Sequence, residues 1–282
     1  MDPSVFANIE NLVTLSDTQF TLGSLILMVS YGAHFAFILY FLWTQKDLAP
    51  RYRLVPLLSA LVMASAGLSL LREFSFWNEA YTFSGGAYVP ATEGQTFTNA
   101  FRYGNWTITV PLLLTQLPLA FGLARPEIRR RAIRMSIPAV LMIWTGLVGQ
   151  FGETGDWAQL NLWGVISTLF FVWLLIEVRA TIKAGVVNSP APLKGFPDKL
   201  WWYFLATWGL YPIAYALPQL GFNGEVVIAR QLLFSIADLS TKLVYGVILS
   251  RYLLRRSALG GYLPAAEALG EAPAVADKPR GA

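Results

Sequence analysis

Ser235-Ile-Ala-Asp-Leu-Ser-Thr-Lys-Leu-Val-Tyr245 places a carboxylate, Asp238, and an amine, Lys242, inside an apolar run that extends from 226 to 254. An ionisable group deep in such a run costs several kcal/mol unless it has a partner or faces a polar interior. Four residues apart on a helix, the two lie on one face, about 6 Å apart along the axis. The stretch therefore reads as a membrane-crossing helix that holds a buried acid beside a buried amine.

Working outward, six further apolar stretches at 22–43, 54–76, 98–123, 133–151, 157–182 and 200–220 are separated by breaks rich in Gly, Pro and charge. The 282 residues are 55% hydrophobic, 14% aromatic and 13% charged, about half the charge of an ordinary soluble globule. The predicted fold class is an all-α membrane protein, a seven-transmembrane-helix bundle over residues 1–259, with 260–282 a disordered cytoplasmic tail rich in Ala, Gly, Glu and Pro. The chain has no cysteine and one histidine, which excludes disulfides, thiolate chemistry, iron–sulfur clusters and a histidine-cluster metal site.

The net charge of +4 does not point to nucleic acid, because the 21 Lys and Arg are sorted by loop. All but Arg72, Arg102, Arg230 and Lys242 follow the odd-numbered spans or lie in the tail, whereas the opposite loops carry Glu10, Asp17, Glu79, Glu93, Glu153, Asp156 and Glu225. The positive-inside rule places the N-terminus outside and the C-terminus in the cytoplasm. Residues before the first span lack a basic n-region and are expected on the outer surface. Between spans two and three, Tyr81-Thr-Phe-Ser-Gly-Gly-Ala-Tyr-Val89 suggests a hairpin about Gly85-Gly86.

Span three adds Arg102-Tyr-Gly-Asn-Trp-Thr-Ile-Thr-Val-Pro-Leu-Leu-Leu-Thr-Gln116. Asn105, Thr109 and Gln116 share a face with Arg102, so a polar stripe climbs the helix. Singly, each feature has a structural reading: Asp–Lys pairs also tie helices together, and Asn and Thr bond neighbouring spans.

In combination the sequence resembles the microbial rhodopsins along all seven helices. The resemblance rests on Arg102-Tyr-x-Asn-Trp with Pro111-Leu-Leu-Leu, Thr145-Gly-Leu-Val-Gly149, Ile166-Ser-Thr168, Trp208-x-x-Tyr-Pro212 and Asp238-x-Ser-x-Lys242. It implies all-trans retinal as cofactor, bound to Lys242 as a Schiff base in the core of the bundle, with Asp238 as counterion. It also implies a retinal pocket formed by Trp106, Leu113, Gly146, Ser167, Thr168, Trp208, Tyr211, Pro212 and Thr241. Leu113 stands where green-absorbing relatives carry Leu. An ion transporter rather than an enzyme is implied, as is a homo-oligomer in the lipid bilayer.

Proton-pumping relatives carry a carboxylate at the position of Asn105 and often at that of Gln116, and sodium pumps carry Asp at the position of Thr109. Asn105, Thr109 and Gln116 instead resemble the set of bacterial light-driven chloride pumps. A protonated Schiff base, Arg102 and Asp238 sum to one positive charge if no other charge intrudes. Chloride or another halide held by Arg102, Asn105 and Thr109 would neutralise it and later pass Gln116 on the cytoplasmic pathway. A sodium or proton pump and a photosensory rhodopsin are the alternatives.

Three residues stand apart. Arg230 is expected in a salt bridge with Glu153 or Glu225, and His34 in packing or a subunit interface. Gly164, in Trp163-Gly-Val, has two readings: close helix packing, or a window for a carotenoid antenna of the kind the resemblance brings with it.

Overall fold

The computed structural model describes residues 8–91 and 96–271. Its helices are α1 (Asp17–Thr44), α2 (Leu54–Glu79), α3 (Ala100–Ala120), α4 (Arg125–Gln150), α5 (Trp157–Asn188), α6 (Phe196–Trp208), α7 (Leu210–Ala216), α8 (Gly224–Asp238), α9 (Tyr245–Leu259) and α10 (Leu263–Ala268). The seven expected spans are α1 to α5, the α6–α7 pair, and α8–α9 joined through Leu239–Val244. Successive spans pack side by side, and the seventh returns against α1 to close the bundle.

Five of these spans are individually long and apolar enough to cross a membrane. The other two depart for local reasons. Arg102, Asn105 and Gln116 make α3 polar, while the sixth span is interrupted at Gly209. Pro212 cannot donate to the Trp208 carbonyl four residues back, so the helix breaks beside Trp208, which turns inward and stacks on Phe204 at 4.4 Å. Polarity is inverted relative to a soluble bundle: Leu39 is 72% and Leu169 66% exposed, whereas Glu73, Arg102, Thr109, Gln116, Arg230 and Lys242 are buried. Apolar outside and charged inside suits a lipid surround, and the chain is a membrane protein.

One end of the bundle is capped. Strands β1 (Tyr81–Ser84) and β2 (Ala87–Pro90) form the expected hairpin, with Ser84 opposite Ala87. Gly85 and Gly86 both take positive φ, 61° and 86°, which a two-residue turn of this hand requires. Leu15 bridges to Tyr88, and Phe20 stacks on Tyr88 at 3.7 Å. The N-terminal segment does not lie on the surface as expected. Ile9, Val13 and Leu15 are buried in an apolar cluster with Trp77, Tyr81 and Phe97, so the segment plugs the bundle.

At the opposite, basic end the tail also departs from expectation. Residues 263–268 form α10 with Ala265 and Ala266 buried, and Arg53 Nη2 donates to the Tyr262 hydroxyl at 2.9 Å. Small alanines let this turn press against the bundle, which composition alone does not reveal; residues 272–282 lie outside the described chain. His34 is wholly buried, which settles its choice of roles in favour of packing within the chain.

Gly23 is a packing constraint of the capped end, since a Cβ there would come within 2.2 Å of the Trp77 ring. Trp77 is fully buried and cannot retreat. Gly23→Val is expected to destabilise the protein by about 1–3 kcal/mol, read as an earlier thermal transition in detergent.

Candidate functional site

The seventh span leaves α-helical geometry where its charges lie. Leu239–Val244 is a π-helix, a feature that often marks functional positions. Lys242 falls inside it, buried, and donates to Asp238 Oδ1. Asp238 gathers three more donors: Arg102 Nη1 at 3.1 Å, Trp106 Nε1 at 3.1 Å and the Tyr211 hydroxyl at 2.8 Å. Tyr211 also shares a hydrogen bond of 2.9 Å with Thr241 Oγ1. Four donors from three spans thus fix a carboxylate against a buried amine.

On α3, Asn105 Nδ2 donates to Ser65 Oγ at 2.8 Å, and Thr109 Oγ1 to the Asn105 carbonyl at 3.0 Å. Gln116 accepts from Ser59 at 3.4 Å. Arg102 Nε and Gln116 Nε2 are buried donors without an acceptor, one on each side of the Lys242 level along α3. An unpaired buried donor costs free energy, so both are places where a mobile acceptor would be welcome.

The expected surplus of one positive charge was conditional on no other charge entering the site, and that condition is not met. Glu73 of α2, fully buried, brings Oε2 to 2.8 Å from Arg102 Nη2, so a second carboxylate enters the site. Its place near the end of an apolar span had suggested nothing. The available signal was phase: Ser59, Ala66 and Glu73 follow at intervals of seven, on the face that Ser59 turns towards Gln116.

From Arg102 a polar chain runs to the capped end. Arg102 Nη2 donates to Gln231 Oε1 at 2.9 Å, and Gln231 Nε2 to Glu10 Oε1 at 2.8 Å. Arg230 pairs with Glu10 and, at 2.6 Å, with Glu153. Glu153 was expected as a partner; Glu10 was not, and Glu225 accepts instead from Gln19 Nε2 at 3.2 Å. Glu153 further accepts from the Ile9 amide at 2.9 Å and from Gln150 Nε2 at 2.6 Å. Burial raises the proton affinity of Glu153, in the loop after α4, against the opposing pull of Arg230, and burial raises that of Tyr81 likewise.

Beside Trp106 and Tyr211 lies an apolar slot lined also by Met142, Gly146, Ser167, Trp208 and Pro212. Thr168 and Gly164 line its α5 side, and Ser167 Oγ donates to the Met142 carbonyl at 2.8 Å. A Cβ on Gly146 would approach Tyr103 at 3.3 Å and Ser167 at 3.4 Å, and one on Gly164 would meet Tyr215 at 2.9 Å. Leu113 is buried in the adjoining core, where its carbonyl accepts from the Tyr245 hydroxyl at 3.3 Å.

Residues 21–255 match the family model described as bacteriorhodopsin-like protein. The chain belongs to that family. Xanthorhodopsin, described as a light-driven ion pump with dual chromophore, has a crystal structure that superposes with a TM-score of 0.81 at 32% identity, covering 88% of this chain and 98% of that one. A thermophilic rhodopsin gives 0.82 at 30% identity over 88% and 99% of the two chains. Among curated relatives, a green-light absorbing proteorhodopsin from Gamma-proteobacterium EBAC31A08 is 22% identical over 67% of this chain and 73% of its own. The relatives are light-driven ion pumps, not enzymes.

Membership of the rhodopsins implies retinal as chromophore. The residues fit such a group: an apolar slot is walled by the indoles of Trp106 and Trp208 and by Tyr211, and Trp106 and Tyr211 are both bonded to the carboxylate that pairs with a buried amine. Lys242 is the residue that would hold it, with Asp238 as the fixed counter-charge.

Lys242→Ala is expected to yield a folded protein with no visible absorption band on addition of all-trans retinal, checked by absorption spectroscopy of the purified variant. Arg230→Gln leaves Glu10 and Glu153 buried without their cation, a change expected to cost about 3–5 kcal/mol. The expected readout is a lower thermal transition in detergent, with partial recovery when Glu10→Gln and Glu153→Gln are added.

Proposed function

We propose that this rhodopsin is a light-driven inward chloride pump. The observation that carries the reading is the chemistry of α3: between Arg102 and the opposite end of the bundle, the buried polar residues of that helix are Asn105, Thr109 and Gln116. None is a carboxylate able to accept a proton from the site or return one. Ser65, hydrogen-bonded to Asn105, adds another neutral hydroxyl. Neutral donors suit an anion that must bind and then leave, because they satisfy it without fixing it by a full charge.

Retinal, which Lys242 would hold, would supply a light-driven isomerisation. Arg102, Asn105 and Thr109 hold the anion on the side of the hairpin cap. Gln116, whose Nε2 lacks an acceptor, receives it on the basic side. The loop charges orient the hairpin cap outward and the basic end towards the cytoplasm of a bacterial inner membrane, which makes the transport inward. For Gly164 the packing reading is supported by the Tyr215 ring, which a Cβ there would meet at 2.9 Å, and the carotenoid window by its place in the wall of the apolar slot.

Illuminated cells suspended in sodium or potassium chloride are expected to make the medium alkaline, more strongly with a protonophore, and to give no signal in sulfate salts. Signals kept in sodium sulfate and lost in potassium chloride would identify a sodium pump instead. Light-driven acidification independent of both ions would identify a proton pump, and no photocurrent in any salt would favour a sensor.

An anion near Lys242 also stabilises the positive charge of the ground state more than the displaced charge of the excited state. Exchange of chloride for sulfate in purified protein is therefore expected to shift the visible band to the red, with green absorption in chloride.

A further inference from the structure

Glu73 is unlike the other acids of the interior. Asp238 has four donors, from Lys242, Arg102, Trp106 and Tyr211. Glu10 has Arg230 and Gln231, and Glu153 has Arg230, Gln150 and the Ile9 amide. Glu73 has only the ionic contact with Arg102, and neither of its oxygens completes a hydrogen bond. It is fully buried, out of contact with bulk solvent.

The charge count then bears on anion binding. With every acid ionised, Lys242 and Arg102 balance Asp238 and Glu73, and Glu10 and Glu153 outnumber Arg230 by one. Among the described residues Arg102 from α3 is the cation in contact with Glu73, and Asp238 and Lys242 from the seventh span and Glu10 from the N-terminal plug are further charged neighbours. His34 of α1, wholly buried, has Lys242, Asp238 and Arg102 as charged neighbours, and its Nε2 has no partner among the described residues. A chloride added to this interior would bring a second uncompensated negative charge, which a low-dielectric site resists.

We propose that Glu73 takes up a proton when the anion binds, so that chloride enters the resting site together with one proton and replaces Glu73 as the partner of Arg102. The inference rests on the chloride reading and adds the group that makes anion and proton binding a single event. Glu73 is chosen over Asp238 because protonating Asp238 would abandon four donors, whereas protonating Glu73 abandons one contact that the anion itself re-forms with Arg102. Each carboxylate oxygen of Glu73 now lacking a donor is also relieved of its charge.

Linkage gives the signature: binding coupled to one proton weakens about tenfold per pH unit above the titration of the coupled group. The test uses the purified protein loaded with all-trans retinal, titrated with sodium chloride at constant ionic strength set by sulfate, between about pH 5 and pH 9. The visible band reports the chloride Kd, and a pH electrode in unbuffered solution reports proton uptake. The wild-type Kd is expected to rise by up to about tenfold per pH unit, with close to one proton taken up per chloride bound in the same range. Glu73→Gln is expected to hold the Kd at the low-pH wild-type value across the range, without proton uptake, and Glu73→Asp to restore the slope.

A chloride-induced shift with a flat wild-type Kd and no proton uptake would overturn the proposal while leaving the chloride reading standing, as would Glu73→Gln retaining the slope. Absence of any halide response in either protein at any pH would overturn the chloride reading itself and this coupling with it. If Glu73→Gln fails to bind retinal, the wild-type proton-uptake measurement decides.

Discussion

Arg102 holds two carboxylates at once, Asp238 from the seventh span and Glu73 from the second, and the interior of the bundle is arranged around that guanidinium. A planar, permanently charged fork can bond two acids and a neutral acceptor together, which a lysine at the same place could not do with fixed geometry. Through Asp238 it reaches Lys242, Trp106 and Tyr211; through Gln231 it reaches Glu10 and Arg230. Three helices and the N-terminal plug are thus tied to one residue. Because lipid outside cannot solvate these groups, every charge in the chain of contacts depends on its neighbour.

That dependence explains features that would otherwise look unrelated. The N-terminal segment is drawn into the end of the bundle because Glu10 is the counter-charge of Arg230, and the Ile9 amide helps hold Glu153. The hairpin then has a surface to close upon, Leu15 and Phe20 against Tyr88. At the centre, the break at Gly209 and the π-helix around Lys242 bring Trp208, Tyr211 and Thr241 to the same level, with an apolar slot beside them. The apolar slot and the charged relay are thus joined through Trp106 and Tyr211, which line the slot and bond Asp238.

The sequence made the fold and much of the centre legible. Seven apolar stretches, the sorting of Lys and Arg between loops, and the double glycine of the hairpin each follow from local rules that need no partner. The spacing of Asp238 and Lys242 is likewise local, and so is the stripe on α3. Expectations failed where residues met from afar. The condition on the single surplus positive charge, that no other charge intrudes, failed because of Glu73; the surface position of the N-terminal segment was wrong because of Glu10, and disorder from residue 260 because of the α10 turn.

What the sequence alone determined is a seven-span membrane protein with an amine beside an acid and no carboxylate on the polar face of α3, since helix periodicity and hydropathy act within one segment. Tertiary structure decided how those charges are balanced. Arg230 meets Glu10 across 220 positions and Arg102 meets Asp238 across 136, and no periodicity relates residues so distant. In a medium of low dielectric the energy of a charge is set by which opposite charge lies within a few ångströms. That choice belongs to the packing of α2, α3 and the seventh span, and it is the packing that turned Glu73 from an acid near the end of a span into a partner of Arg102.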